Sequence, residues 1–522
     1  MHRKGVMVVV LAATLLGACA SDNNASGTRP SSSAAAAPAP DTTSVPAAGT
    51  TAVSAVPATT VAPVVPRRAV SGAVPTIIGP VTGGTGHAFL SSANPLDLAS
   101  VGYVEDEYLI DGTATSYVAD GDLPGNGRWS VHPGTSASYR TRIVVRRPAD
   151  PARFNGTLLV EWLNVSAGAD SGPDFLYGGR EITRGDAWVG VSAQKVGVDG
   201  AGTGLVSVPG QKVSGLVSTD PARYSTLHHP GDAYSYDIFS QAAWAVLAPP
   251  STIDPLHGLV PQHVIAVGES QSAFRLTTYI DAVQPLTTLF DGFFVHSRGG
   301  SASTLSDSGA TSFTNGATLI RDDLSVPTFI VATETDLGPL IGYTPARQPD
   351  SPSVHTWELA GTAHADVFVV GAFASVLGCT TDINRGPQHF LIDAALRALT
   401  RWVADGTAPP SAPRLVVVPG TPPTIARDGR GNALGGIRTP LVDVPVAGLS
   451  GDAAPGSSTI CALFGTTVPF SDATLRSLYP DKASYVAAFT ASADQAIAAG
   501  YVVPEDRDEL LAVAAAATIP NR

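Results

Sequence analysis

The chain has 522 residues and a formal net charge of −13, from 31 Lys and Arg against 44 Asp and Glu. No basic run interrupts this acidic balance, which argues against a nucleic-acid partner, because such a partner demands a Lys/Arg surface to neutralise phosphates. The three cysteines and eleven histidines show no spacing that resembles a zinc site.

The first residues have the pattern of a targeting segment. His2, Arg3 and Lys4 form a positive start, residues 6–16 form an apolar core too short for a membrane span, and Leu16-Gly17-Ala18-Cys19 closes it. This resembles a bacterial lipoprotein signal over residues 1–18, with cleavage before Cys19 and diacylation there. Residues 19–74, rich in Ala, Ser, Thr and Pro, lack any apolar period and cannot offset chain entropy by burial. They are expected to be a disordered tether. The lipid on Cys19 is then the expected membrane attachment, and the protein is expected to stand outside the cytoplasm in the cell envelope. Residues 75–522 form the folded part.

Along that part, 103–118 and 138–147 alternate as strands do and read as an antiparallel pair. Segments 156–163 and 187–193 are apolar runs of the buried-strand type, separated by a small-residue loop at 164–172. Residues 194–230 read as loop. Residues 233–248 are helical by pattern, with Tyr236, Phe239, Ala243 and Val246 on one face. A strand over 264–268 meets a helix over 272–283. Further strands are expected at 290–295, 326–332 and 353–359, and a helix at 387–404. Strands alternating with helices imply a mainly parallel sheet covered on both faces, with antiparallel strands at its N-terminal edge. From about residue 407 the chain is a C-terminal extension, rich in Pro and Gly at first and reading as short helices over 472–516.

The chemistry concentrates at Gly268-Glu269-Ser270-Gln271-Ser272, where a strand turns sharply into a helix. Such a corner lifts one hydroxyl above the sheet at a helix N-terminus. Serine alone is a weak nucleophile and needs a base, and the base needs a carboxylate to orient it. Asp336 follows the 326–332 strand at the offset that suits such an acid, and Glu334 is its alternative. His364 sits on a Gly-Thr-Ala turn after the 353–359 strand and is the candidate base. An oxyanion needs two backbone N–H donors. One is expected from Gln271, and the other from the 164–168 loop, through Val165 or Ser166. His296 and the His228-His229 pair read as structural. Cys379 and Cys461, left over once Cys19 is assigned to lipid, are expected to form a disulfide outside the cytoplasm. This chemistry needs no metal and no organic cofactor.

At these residues the chain resembles the α/β-hydrolase superfamily, and within it the bacterial proteins described as alpha/beta hydrolase domain-containing. The likeness rests on residues 141–148, 155–166, 189–194, 229–237, 268–274 and 361–366, and spans about residues 100–440. Ser272 stands where the motif usually has glycine, and the family elbow also carries serine there. The resemblance implies the α/β-hydrolase fold and a Ser270–Asp336–His364 triad; it implies no substrate. The reading is an extracytoplasmic, lipid-anchored serine hydrolase acting on a small-molecule carboxylic ester. Its rivals are an amidase or peptidase, which would share the triad, and a non-catalytic envelope protein that binds a ligand on the same frame.

Overall fold

The computed structural model describes residues 74–521, apart from 92–95, 201–213, 250–251 and 307–311. The signal segment 1–18, Cys19 and all but the last residue of the 19–74 tether lie outside the described residues. Among the described residues no helix is long and apolar enough to cross a membrane.

Nine strands make one sheet: β1 (Thr76–Ile78), β2 (Tyr103–Ala119), β3 (Val131–Pro148), β4 (Thr157–Trp162), β5 (Ala187–Val191), β6 (His263–Glu269), β7 (Gly292–His296), β8 (Thr328–Thr333) and β9 (Val354–Leu359). Their order is β1-β2-β3-β5-β4-β6-β7-β8-β9. The first three run antiparallel, and β3 meets β5 antiparallel; from β5 to β9 every pairing is parallel. The first strand of the expected antiparallel pair matches to within a residue, whereas the second, expected over 138–147, already begins at Val131 and pairs with the end of β2 past an irregularity between Thr115 and Tyr117.

Residue alternation divides the core between the two faces of the sheet. Val160, Trp162, Val264, Ala266, Phe293, Val295 and Ile330 join one cluster with helix α2 (Ser235–Leu247) and helix α3 (Gln271–Thr278). Leu159, Ile265, Val267, Phe294, Phe329, Val331 and Trp357 join the other, with α1 (Pro173–Ile182) and α4 (Gln388–Asp405). Both clusters are apolar, as the unbroken apolar runs of the parallel strands require. Trp162 anchors α2 through Tyr236 and Phe239, with ring centres 5.6 and 4.8 Å away. Each such pair adds about 0.5–1.5 kcal/mol beyond the area it buries.

Helix α1 falls where the sequence suggested no element. Its start is nonetheless signalled by Pro173 in the first turn and Asp174 beside it, a residue choice that suits a helix N-terminus. Beyond α3 the helix widens into a π turn over Tyr279–Val283.

The C-terminal extension is a packed part of the structure. Strand β10 (Val417–Val418) pairs with β11 (Thr424–Ile425), and β12 (Ala447–Ser450) with β13 (Thr466–Pro469). Helices α5 (Asp472–Leu478), α6 (Lys482–Ala498) and α7 (Arg507–Ala516) close a small core of their own around Leu475, Tyr485, Phe489 and Leu510, which also takes in Phe390 of α4. The expected Cys379–Cys461 disulfide is present, with Cα atoms 5.5 Å apart.

The connectivity fixes where a site can form. The chain leaves β4 through α1 to reach β5 on one side, and returns through α2 to β6 on the other. Such a reversal leaves a crevice beyond the carboxyl ends of the two diverging strands. The residues that follow β4 and β6 are Leu163-Asn164-Val165 and Ser270.

Candidate active site

Ser270 occupies the corner between β6 and α3 with φ +55° and ψ −118°. A side chain at positive φ is strained, and such strain persists only where the surroundings over-determine it. Here the Ser270 N–H donates to the His296 carbonyl of β7 at 2.9 Å. Glycine suits position 268 beside the same bend: a Cβ there would crowd Leu276 at 3.0 Å and the Ser272 backbone at 3.2 Å. Ser272 is fully buried in this tight contact, so a small side chain suffices at the position.

The Ser270 hydroxyl donates to His364 Nε2 at 2.7 Å, and His364 Nδ1 donates to Asp336 Oδ1 at 2.6 Å. The structure thus brings the three residues into one hydrogen-bonded chain, although 94 residues separate Ser270 from His364. Asp336 is held from behind. It is the third residue of a helical turn, Glu334–Leu337, and its Oδ2 accepts the Thr333 N–H at 2.7 Å. Burial lowers the basicity of His364, but the charge and hydrogen bond of Asp336, with the charge of Glu269, outweigh it, and the pKa stands above the ordinary histidine value.

Glu334, the alternative acid, points elsewhere. Its carboxylate accepts from Gly361 N at 2.6 Å, Gly451 N at 3.0 Å and Arg427 at 2.8 Å. It ties the start of the His364 loop to the C-terminal extension. Gly361 itself has φ +75°, and a Cβ there would lie 2.5 Å from Val442. The extension grips the same loop elsewhere: Ala365 N donates to Leu463 O at 3.1 Å, and Asn384 bridges Gly361 O and Ser450 O at 3.2 and 3.1 Å. The disulfide lies beside these contacts, in an apolar cluster with Ala365, Leu463 and Phe464. The extension therefore frames the histidine loop, a role with no motif to mark it in the sequence.

Asn164 ties the loop after β4 to the elbow. Its Nδ2 donates to the Glu269 carbonyl at 3.0 Å and to Glu269 Oε2 at 3.1 Å, and its Oδ1 accepts the Ser166 N–H at 2.7 Å. This corrects one expectation: the Ser166 amide is committed to Asn164, leaving Val165 as the loop's candidate oxyanion donor. Deeper in the loop Asp170 is buried against Arg142 at 2.8 Å and Ser192 at 2.5 Å. Gln271 opens α3, with the positive end of that helix beneath it.

One buried group beside the elbow is not among the residues singled out in the sequence. Glu269 precedes Ser270, and its Oε1 lies 3.5 Å from His364 Nε2. Burial pushes its carboxyl up to about 7, against the opposing pull of His364 and His296. An ionisable residue ending an otherwise apolar strand was the available signal. His296, read as structural, is fully buried with Nδ1 2.9 Å from Asp174, while Gln388 Nε2 donates to its Nε2 at 3.1 Å. Burial drives its pKa down to about 4. His229 is likewise enclosed, with Nε2 on the Ala193 carbonyl at 2.9 Å. Among the described residues no group of His, Cys, Asp and Glu is arranged to hold a metal ion.

A family model described as alpha/beta hydrolase domain matches residues 77–512. No curated protein matches the chain. Among solved structures it is similar to esterase Est22, at 13% identity and a TM-score of 0.24 over 45% of this chain and 65% of that one. It thus spans just under two thirds of Est22. It is also similar to a structure from a study of two fungal esterases from Rhizomucor miehei, at 12% identity and a TM-score of 0.27 over 60% of this chain and 92% of that one. The family match, which takes in every strand of the main sheet except the first residue of β1, is what places the protein: it belongs to the alpha/beta hydrolase domain family.

Proposed function

We propose that the protein is a serine hydrolase that cleaves carboxylic esters through an acyl-enzyme on Ser270. The observation that carries this reading is the unbroken chain from the Ser270 hydroxyl through His364 to Asp336, at 2.7 and 2.6 Å, set at a strained strand-to-helix corner. In that chain Asp336 fixes the tautomer: with the proton on Nδ1, the Nε2 lone pair faces the serine and can take its proton as the oxygen attacks an acyl carbon. The imidazolium so formed is stabilised by the Asp336 charge and returns its proton to the departing alcohol. The Gln271 and Val165 amides supply the donors for the tetrahedral oxyanion. Water then releases the acyl group.

The same reading places the enzyme outside the cytoplasm, held to a membrane by lipid on Cys19. The Cys379–Cys461 bond supports an oxidising compartment. Incorporation of labelled palmitate into the wild type and its loss in Cys19→Ala test the anchor.

Activity is tested with full-length protein in detergent against p-nitrophenyl esters of short and long acyl chains, beside matched anilides. Ester turnover that disappears in Ser270→Ala supports the proposal. Turnover confined to the anilides makes the protein an amidase, and a folded wild type inert to both series makes it a binding protein.

A further inference from the structure

Releasing an acyl group from serine places a demand on the water that the triad alone does not meet. A water molecule attacks through a lone pair, so in the attacking pose its two hydrogens point away from the acyl carbon and seek acceptors. His364 Nε2 takes one. The second needs an acceptor close to Nε2, on the same side of Ser270.

Glu269 Oε1 stands 3.5 Å from His364 Nε2. An oxygen at about 2.8 Å from each, the usual hydrogen-bond length, sits at the apex of a triangle on that base and reaches both at once. The carboxylate is held in place. Its Oε2 and its own carbonyl are both engaged by Asn164 Nδ2, which leaves Oε1 facing the imidazole. Its place is fixed further by its position in the chain, one residue before the strained serine.

We propose that Glu269 orients the hydrolytic water, its carboxylate accepting the second hydrogen of the water whose first is taken by His364. This rests on the reading of Ser270 as the acylated residue. In the step, the water oxygen forms a bond to the acyl carbon and one of its protons passes to His364 Nε2. When the carbon–Ser270 oxygen bond breaks, that proton goes to Ser270 Oγ. The other hydrogen stays on the attacking oxygen, hydrogen-bonded to Glu269, and leaves with the carboxylic acid, which then ionises into solvent.

An alcohol as acyl acceptor separates this role from every other. Methanol has a single O–H, which His364 takes, so it has no second hydrogen to place. Full-length wild type and Glu269→Gln are given a p-nitrophenyl ester with methanol as competing nucleophile, and the ratio of methyl ester to free acid is measured. Glutamine keeps an acceptor for Asn164 but presents an N–H₂ or a neutral oxygen to the water. The expected result is a ratio raised about tenfold to a hundredfold, the worth of a hydrogen bond to a charged acceptor; any change in the rate at which acyl-Ser270 forms is common to both products and cancels. A purely structural role would slow both nucleophiles alike and leave the ratio unmoved.

The wild type gives a second reading that needs no variant. The charged or titrating groups facing Glu269 are His364 and Asp336 from the ends of β9 and β8, His296 of β7, and Asp174 and Tyr177 of α1. Protonation of His364 slows attack by water and methanol equally and cancels in the ratio. Protonation of Glu269 does not, so the ratio should rise as pH falls through about 7. A ratio indifferent both to Glu269→Gln and to pH overturns the role of Glu269 alone. Absence of any acyl adduct on wild-type Ser270 overturns the nucleophile itself, and this inference with it.

Discussion

Two histidine–aspartate pairs flank Ser270, and they do different things. His364 and Asp336 join at 2.6 Å; His296 and Asp174 join at 2.9 Å; all four side chains are buried. The difference lies at the other ring nitrogen. His364 offers its Nε2 to the serine hydroxyl, whereas the Nε2 of His296 is filled by Gln388. Their surroundings also pull in opposite directions. Two carboxylates raise the basicity of His364 above its ordinary value, and burial pushes that of His296 down to about 4. A histidine–carboxylate pair is thus a structural joint until its free nitrogen meets a nucleophile and its field favours the protonated ring.

The largest expected effect falls on the pair that meets the serine. His364→Ala should cost about 10⁴-fold or more in kcat, as removal of a triad base does elsewhere, and some stability too, because Asp336 loses its buried partner. His296→Ala should cost stability alone. It keeps the backbone carbonyl that holds Ser270, so kcat should stay within about tenfold of wild type. Asp174 and Gln388 would lose a buried partner beside a new void, which costs about 2–4 kcal/mol in chemical unfolding. Equal loss of activity in the two variants would erase the distinction.

The two acids after β8 sharpen the same point. Asp336→Asn should lower kcat about 10³- to 10⁴-fold through the wrong tautomer. Glu334→Gln, two residues away, should leave kcat near wild type below the unfolding temperature. Weakening a buried carboxylate shared by Arg427, Gly361 and Gly451 should cost about 1–3 kcal/mol of stability.

The pH dependence follows from the same contrast. His364 must be neutral to act as base, and its pKa is raised. Activity should therefore be full at alkaline pH and fall as pH drops through a value above about 6.5. Asp336→Asn removes the charge that raises it, so the residual activity should show this limb moved to lower pH. His296 stays neutral throughout and adds nothing to the profile. A kcat/KM profile of the two proteins reads the shift directly.

The smallest effect on catalysis is expected away from the reacting groups. Cys379→Ser with Cys461→Ser opens a loop of 82-residue separation and should cost about 2–4 kcal/mol. Because the bond lies beside the contacts of Ala365, activity should be lost on warming before the main sheet unfolds, which circular dichroism and activity followed together would show.

What was legible in the sequence was local. The apolar run into Gly268 and Ser270 announces the elbow, because strand, turn and helix are adjacent in the chain. The order of acid and histidine follows from the strands that carry them. The choice between Asp336 and Glu334 was narrower, since both lie in one helical turn and only their distant partners separate them. The link of Asp174 to His296 spans 122 residues and joins a helix that the sequence pattern did not suggest. The commitment of the Ser166 amide to Asn164 depends on a side-chain rotamer that no periodicity encodes. The hold of the C-terminal extension on the histidine loop runs largely through backbone groups of Gly451, Ser450 and Leu463, which have no side-chain signature.

The most direct measurement is the site of covalent modification by a fluorophosphonate. Full-length protein is treated with the probe, digested and mapped by mass spectrometry, with ester turnover followed in parallel. A serine made nucleophilic by His364 should give one adduct, on the peptide carrying Ser270, with activity lost in step and neither seen in His364→Ala. Ester turnover that persists while Ser270 remains unmodified, or an adduct on another serine that tracks the loss, would contradict it.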